Sequence, residues 1–304
     1  MIVNKLNSNS LILQINNKML MEYGFAYVFD LKEKTYKVTG KSCFSGAMVC
    51  IESEAEMIFV TGDCHGDYGR FKTRAFLKQT ELNKEDYVIV CGDFGYWKDT
   101  PDQNYWLDWL NDKSFTTLWV DGNHENFDML KEIEVVKWKG GKVQFIRSSI
   151  IHLMRGQVFT IDDCKIFAFG GAQSHDIDGG VLDLDDPNFK KKQQVLDLAR
   201  QNYRINHVSW WQEEQPSPEE MEEGLRNLEA HQNKVDYIIT HDCAADTKIF
   251  VNKYPKDEND YLSNYLLQIK EKMDFKKWYF GHHHQDKAIN NKEIAIYKRI
   301  IQIW

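Results

Sequence analysis

Five times in this chain a short run of β-branched and aromatic residues stops at a turn bearing an acid, an amide or an imidazole. The runs are 57–61, 87–91, 115–120, 235–240 and 277–280, and the turns after them carry GDCHGD, GDFG, GNHE, HDC and GHHH. Short apolar runs bounded by glycine read as strands. A strand end is a rigid mount, and a glycine beside it lets the chain turn with positive φ and bring side chains close together. In an open α/β sheet such sites are built at the carboxyl ends of the strands. The fold must therefore bring these five strand ends to one place.

Helical stretches near 68–78 and 104–110 follow the first two runs, and strands alternating with helices suggest βαβ units. The middle of the chain differs. Residues 144–146, 150–154, 157–161 and 165–169 read as successive strands with short turns, a meander. Parallel strands first and a meander second predict an α/β fold: a four-layer αββα sandwich of two mixed β-sheets flanked by helices. Residues 173–216 read as an irregular insertion or cap, acidic around Asp183–Asp186. A helix then opens at Ser217 as cap, Pro218 in first position and Glu220 three after the cap, with Met221, Leu225 and Leu228 as its apolar stripe. Strand-like pieces at 11–15, 25–29 and 35–38 mark residues 1–56 as an N-terminal β-rich extension to a domain at 57–304.

Composition narrows the function. The chain of 304 residues carries 38 basic against 46 acidic groups, a net charge of −8. A long nucleic-acid track usually needs a basic face, and only Lys190–Lys192 hints at one, so the balance argues against long nucleic acid as partner. The six cysteines form no C-x-x-C pair, which predicts reduced, mostly buried thiols. The longest apolar runs, such as 88–91, are far below the ~18 residues of a span, and the start lacks a basic stretch followed by an apolar one. No membrane contact and a cytoplasmic location are the expectation; oligomeric state is not legible.

The polar residues at the strand ends are Asp63, His65, Asp93, Asn123, His124, His241, His282 and His284. Carboxylate, imidazole and amide oxygen suit first-row divalent ions without a thiolate. A carboxylate shared between two such ions allows the pair to hold a phosphate and stabilise a leaving oxygen. GDCHGD, GDFG, GNHE, a lone His241 and GHHH, in this order over 57–286, resemble the calcineurin-like metallophosphoesterase superfamily. GGAQS at 170–174, SWWQEEQPS at 209–217 and FGHHH at 280–284 are similar to a bacterial and phage branch of it.

The resemblance implies that Asp63, His65 and His284 bind one metal ion, that Asn123, His241 and His282 bind a second, and that Asp93 bridges them. It implies that His124 contacts the phosphate and assists the leaving group. It further implies two divalent ions, drawn from Mn²⁺, Fe²⁺/Fe³⁺, Zn²⁺ or Ni²⁺ with Mn²⁺ favoured, and hydrolysis by a hydroxide bridging them. His175, Trp210 and Trp211 are candidates for the substrate pocket. The pattern departs from the serine/threonine phosphatases, which carry GDxxDRG and RGNHE: Tyr96 stands in place of the aspartate and Asp121 in place of the arginine before GNHE. Two phosphate-binding arginines and the usual orienter of His124 are thus missing from their places. A phosphodiesterase acting on a small or nucleotide-like phosphorylated substrate is the first expectation. A phosphomonoesterase, a nuclease and a non-catalytic metal-binding scaffold are the alternatives.

Overall fold

A computed structural model describes residues 56–251 and 260–304, together with the backbone of four strands before them. The chain divides into two compact units, Met1–Glu56 and Met57–Trp304. In the first, β1 (Ile2–Lys5), β2 (Ser10–Ile15), β3 (Lys37–Cys43) and β4 (Gly46–Glu52) form an antiparallel sheet in the order β1-β2-β4-β3. The strand expected at 11–15 falls in β2. That expected at 35–38 meets β3 only at 37–38, and 25–29 lies outside the described residues.

The second unit contains β5 (Ile58–Thr61), β6 (Tyr87–Val90), α1 (Pro101–Asn111), β7 (Thr116–Trp119), α2 (Phe127–Lys131), β8 (Val135–Trp138), β9 (Gly141–Arg147) and β10 (Ile150–Leu153). There follow β11 (Gln157–Ile161), β12 (Cys164–Phe169), β13 (Val181–Leu182), α3 (Phe189–Ala199), β14 (Arg204–Ile205), α4 (Pro218–Ala230) and β15 (Tyr237–Thr240). It ends with α5 (Ala245–Val251), α6 (Tyr261–Lys272), β16 (Lys277–Phe280), β17 (Lys287–Ala288), β18 (Glu293–Ala295) and β19 (Ile301–Gln302). One mixed sheet runs β19-β5-β6-β7-β10-β9-β8 and the other β11-β12-β15-β16-β18-β17.

Every central strand is apolar on both faces, because both faces are covered. Ile58, Val60, Ile89, Leu118 and Val120 of one sheet meet Phe159, Ile166, Ala168, Ile239 and Tyr279 of the other in a core between the sheets. The alternate residues Phe59, Val88, Val90 and Trp119 point outward under α1 and α2. Phe167, Phe169, Ile238, Trp278 and Phe280 do the same under α4 and α6. The side-chain period of two, applied to both sheets, gives the four layers. At about 25 cal/mol per Å² of apolar area, these fully buried strands supply much of the fold's stabilisation.

Three expectations need correction. The meander is shared between the sheets: β9 and β10 belong to the first, β11 and β12 to the second. The chain crosses at Gly156, whose φ is +73° and where a Cβ would lie 2.8 Å from the Gly224 backbone, so side-chain-free residues let the turn pack against α4. The helix expected over 68–78 is instead two short 3₁₀ turns, 69–71 and 77–81. Phe71 and Phe76 are both buried, and a spacing of five does not share a helical face. The insertion is not irregular throughout, since it holds α3 and the parallel pair β13–β14. No residue of α3 is buried, so the core imposes no apolar stripe on it. Elsewhere the readings held: Ser217 and Glu220 close a capping box on α4, and Cys64, Cys91, Cys164 and Cys243 are free and buried. Among the described residues no helix is long and apolar enough to cross a membrane.

Candidate metal centre

Strands β5, β6 and β7 are parallel neighbours, as are β12, β15 and β16, so the carboxyl ends of three strands from each sheet open on one edge of the sandwich. Asp63, Asp93 and Asn123 follow the first three, and His241 and His282 follow the last two. The turns are tight. His65, Asp93, His282 and His284 all take positive φ, between 45° and 62°. Non-glycine residues in that region cost of order 1 kcal/mol or more each and gather where surrounding contacts enforce them. At Gly92, with φ +90°, a Cβ would lie 2.0 Å from Nδ1 of His241, and at Gly122 one would lie 2.0 Å from Oδ1 of Asp93. Glycine here makes room for the ligands themselves.

On the outer side, Asp63 Oδ2 lies 3.1 Å from His284 Nε2 and 3.8 Å from His65 Nε2, and those two nitrogens are 3.0 Å apart. Oδ2 is buried without a hydrogen-bond partner. Donors bound at about 2.0–2.2 Å to a common ion stand roughly 3–3.5 Å from one another, so these lone pairs converge as ligands do. Asp93 joins this group through Oδ2, 3.5 Å from His65 Nε2. Its other oxygen faces inward: Oδ1 accepts the His124 amide at 2.9 Å and lies 3.4 Å from His241 Nε2. One carboxylate thus presents an oxygen to each side, the arrangement a bridging ligand needs.

The inner side is fixed by neighbours. His241 donates from Nδ1 to the Cys91 carbonyl at 2.9 Å, which leaves Nε2 facing Asn123 Oδ1 at 3.2 Å. Asn123 donates through Nδ2 to Ser174 Oγ at 3.1 Å, so its oxygen must point at His241. Ser174 in turn donates its hydroxyl, at 2.6 Å, and its amide, at 2.9 Å, to the buried Glu214 carboxyl. The His282 ring stands 5.0 Å from that of His241, and its amide donates to Asp63 Oδ1 at 3.0 Å, tying the last motif to the first.

Electrostatics agree with a cation-binding role. Burial opposes ionisation of Asp93, but His241, then His124 and His65, hold its carboxyl well below the usual carboxylate range. Burial likewise opposes charge on His241, yet the negative charges of Asp93 and Asp63 raise it to about 10, the same field that favours a cation. Burial pushes His282 well below the ordinary imidazole value, keeping it neutral and able to ligate. Oxygen and nitrogen donors of these kinds fit first-row divalent ions.

The structure brings the seven expected ligands together, and His124 with them: its ring lies 5.4 Å from that of His65. Among the described residues the His124 imidazole has no hydrogen-bond partner, and burial lowers its pKa. Tyr96, at the position of the phosphatase aspartate, turns its amide to Glu125 instead. Glu125 also accepts the amides of Phe94 and Gly95, which pins the loop carrying Asp93. Asp121 is consumed by Arg155 and by His152 Nε2 at 3.2 Å. Both partners are buried, and breaking such a pair costs about 3–5 kcal/mol.

Of the three pocket candidates, His175 lies at the site, its ring 5.0 Å from that of His282. Trp211 is buried in the core beneath α2, donating to Asp128 at 2.6 Å, and a buried indole offers no open face to a base. Trp210 is half-buried beside Glu214. Aromatic rings that do stand at the rim are Trp97, which donates to the His124 carbonyl and faces His65 at 6.3 Å, and Tyr297, stacked on His284 at 4.7 Å. Ser174 lies in GGAQS and Glu214 in SWWQEEQPS, but forty residues separate them and only the fold shows that they meet. A second cluster, Asp242, Cys243 and His283, carries its own cation, because Lys248 Nζ lies 2.7 Å from Asp242. It staples the HDC and GHHH loops together.

A sequence profile described as calcineurin-like phosphoesterase matches residues 57–286. Lariat debranching enzyme A of Xenopus laevis is 23% identical over 168 residues, half of this chain and 29% of its own length. The chain thus spans less than a third of that relative.

Proposed function

The chain belongs to the calcineurin-like phosphoesterase family, and from that premise we propose that it is a metal-dependent phosphoester hydrolase acting on a small or nucleotide-like phosphodiester. The observation that carries the reading is Asp93, whose two carboxylate oxygens face His65 on one side and His241 on the other. On this reading Asp63, His65 and His284 would hold one divalent ion, Asn123, His241 and His282 would hold a second, and Asp93 would serve both. Such a pair, once bound, neutralises phosphoryl charge and lowers the pKa of water. Mn²⁺ suits this donor set, in which no thiolate takes part.

The protein's own groups do the positioning. Cys91 and Ser174 fix the faces that His241 and Asn123 present. His124 is set beside Asp93 by its amide and steadied by Trp97 at its carbonyl. Its imidazole delivers a proton to the departing oxygen. Burial favours the neutral ring, so the protonated form depends on the anionic substrate beside it. Tyr96 and Asp121 stand where a phosphomonoesterase of the serine/threonine class has its orienting acid and an arginine, which weighs against that class; the missing acid also departs from the class III cyclic-nucleotide phosphodiesterase pattern.

Turnover of bis-p-nitrophenyl phosphate above p-nitrophenyl phosphate, with Mn²⁺ supplied, is the expected result. His124→Ala is expected to lose turnover and keep its metal. A protein with two equivalents of metal and no hydrolysis of any phosphoester would sink the proposal and favour a scaffold. The similarity to a lariat debranching enzyme favours a nuclease as second reading, tested by cleavage of single-stranded RNA and DNA across a salt series.

A further inference from the structure

The insertion over 173–216 is tied to the site at two points, and Arg204 is held between them. The first tether leaves β12. Ser174 accepts from Asn123, the His175 ring packs on that of His282, and Asp176 forms an ion pair with Nη2 of Arg204. The second tether comes three residues after Arg204. His207 Nδ1 lies 2.8 Å from Asp128 Oδ2, and Trp211 donates to the same oxygen. Asp128 sits in α2, four residues past His124. Between the tethers β14 pairs with β13, which fixes the backbone of Arg204 opposite Val181. Arg204 is therefore carried by a segment tied on one side to the inner ligands, through Ser174 and His175, and on the other to α2, the helix that follows His124.

A structural role for this arginine explains little. The Arg204 side chain is 22% and that of Asp176 46% exposed, and such pairs are worth at most about 1 kcal/mol. Among the described residues the pair with Asp176 engages only Nη2, which leaves the other guanidinium N–H groups able to donate to an anion. Arg70 and Arg155, which touch the ligand loops, are committed elsewhere. Arg70 donates to the carbonyls of Gly62, Asp63 and Tyr297, and Arg155 to Asp121 and Glu220.

We infer that Arg204 is a substrate-binding residue whose planar fork grips phosphoryl oxygens on the His124 side of the centre, and that Asp176 holds the fork in place until the phosphoester arrives. The inference rests on the phosphoester-hydrolase reading. It makes the insertion part of the active site, supplying from far along the chain a positive charge that the GDFG and GNHE loops do not carry.

The test is calorimetric titration of the Mn²⁺-loaded protein with inorganic phosphate, alongside KM and kcat for bis-p-nitrophenyl phosphate. Arg204→Ala is expected to weaken phosphate binding roughly tenfold to a hundredfold, as loss of a charge-assisted hydrogen-bond pair does. KM should rise in proportion while metal content stays at the native level. Arg204→Lys, which keeps the charge and the pair with Asp176 but loses the fork, should recover only part of the affinity. Phosphate affinity and KM unchanged in both variants, with a working wild type, would overturn the inference alone. A wild type that binds neither metal nor phosphate would bring down the underlying reading and this inference with it.

Discussion

The outer and inner halves of the metal centre share Asp93 but are built differently. In the outer half the His65 and His284 side chains are 28% and 48% exposed, and their Nε2 atoms face each other and the carboxylates of Asp63 and Asp93. In the inner half His241 is fully buried, and Asn123 and His282 nearly so. There the ligand orientations are dictated from behind by the Cys91 carbonyl and by the Ser174–Glu214 pair. Buried partners of this kind fix ring tautomer and amide direction before any ion arrives. The inner half is therefore expected to hold its ion tightly and exchange it slowly, and the outer half to bind loosely in contact with solvent.

The harshest way to break the comparison is at the shared ligand. Asp93→Asn removes the charge common to both halves and is expected to lower turnover by roughly a thousandfold or more, several kcal/mol of transition-state stabilisation, with both ions lost. Retention of two equivalents by plasma mass spectrometry would show that Asp93 does not bridge. A sharper pair is His241→Ala against His284→Ala. The inner change should empty its half and abolish turnover, whereas the outer one should leave one equivalent bound with activity down about a hundredfold. Equal metal loss from both variants would erase the distinction between the halves.

A subtler change reaches the inner half without touching a ligand. Glu214→Gln keeps the size of the side chain but removes the charge that holds Ser174, and through it Asn123. Inner-site affinity for Mn²⁺ should fall roughly tenfold. An unchanged affinity would mean that the Asn123 amide does not depend on this chain of bonds. The mildest perturbation leaves the sequence intact. Under a chelator, followed by electron paramagnetic resonance, the outer Mn²⁺ should leave first and the inner one later. Simultaneous loss would argue for a single cooperative site.

Much of this candidate centre can be read from the primary structure because each proposed ligand except His241 sits on a strand end flagged by a glycine turn. GDCHGD, GDFG, GNHE and GHHH give residue type and local geometry within a few positions, and His241 needs only the run before it. What supports the ligands is less legible. Glu214 and Ser174 act only once the insertion has folded back, and no local pattern records that. The two sheets follow from apolar runs without alternation, yet the strands at 144–154 and 157–169 look alike in sequence. Only register and the crossing at Gly156 assign them to different sheets. Trp211 shows the same limit from the other side, since adjacent tryptophans can seal a core or line a cleft, and burial alone tells which.

The bond from the His282 amide to Asp63 and the approach of His284 to His65 each join residues 219 positions apart. Contacts so far apart in the chain form late, because the loop between their ends must be closed first. While a ribosome is still making this polypeptide, the GDCHGD loop emerges long before its partners and has nothing to complete it. On the proposed reading, a nascent chain that has made only β5, β6 and β7 lacks groups needed to trap both ions, and hydrolytic competence would arrive only with the GHHH segment.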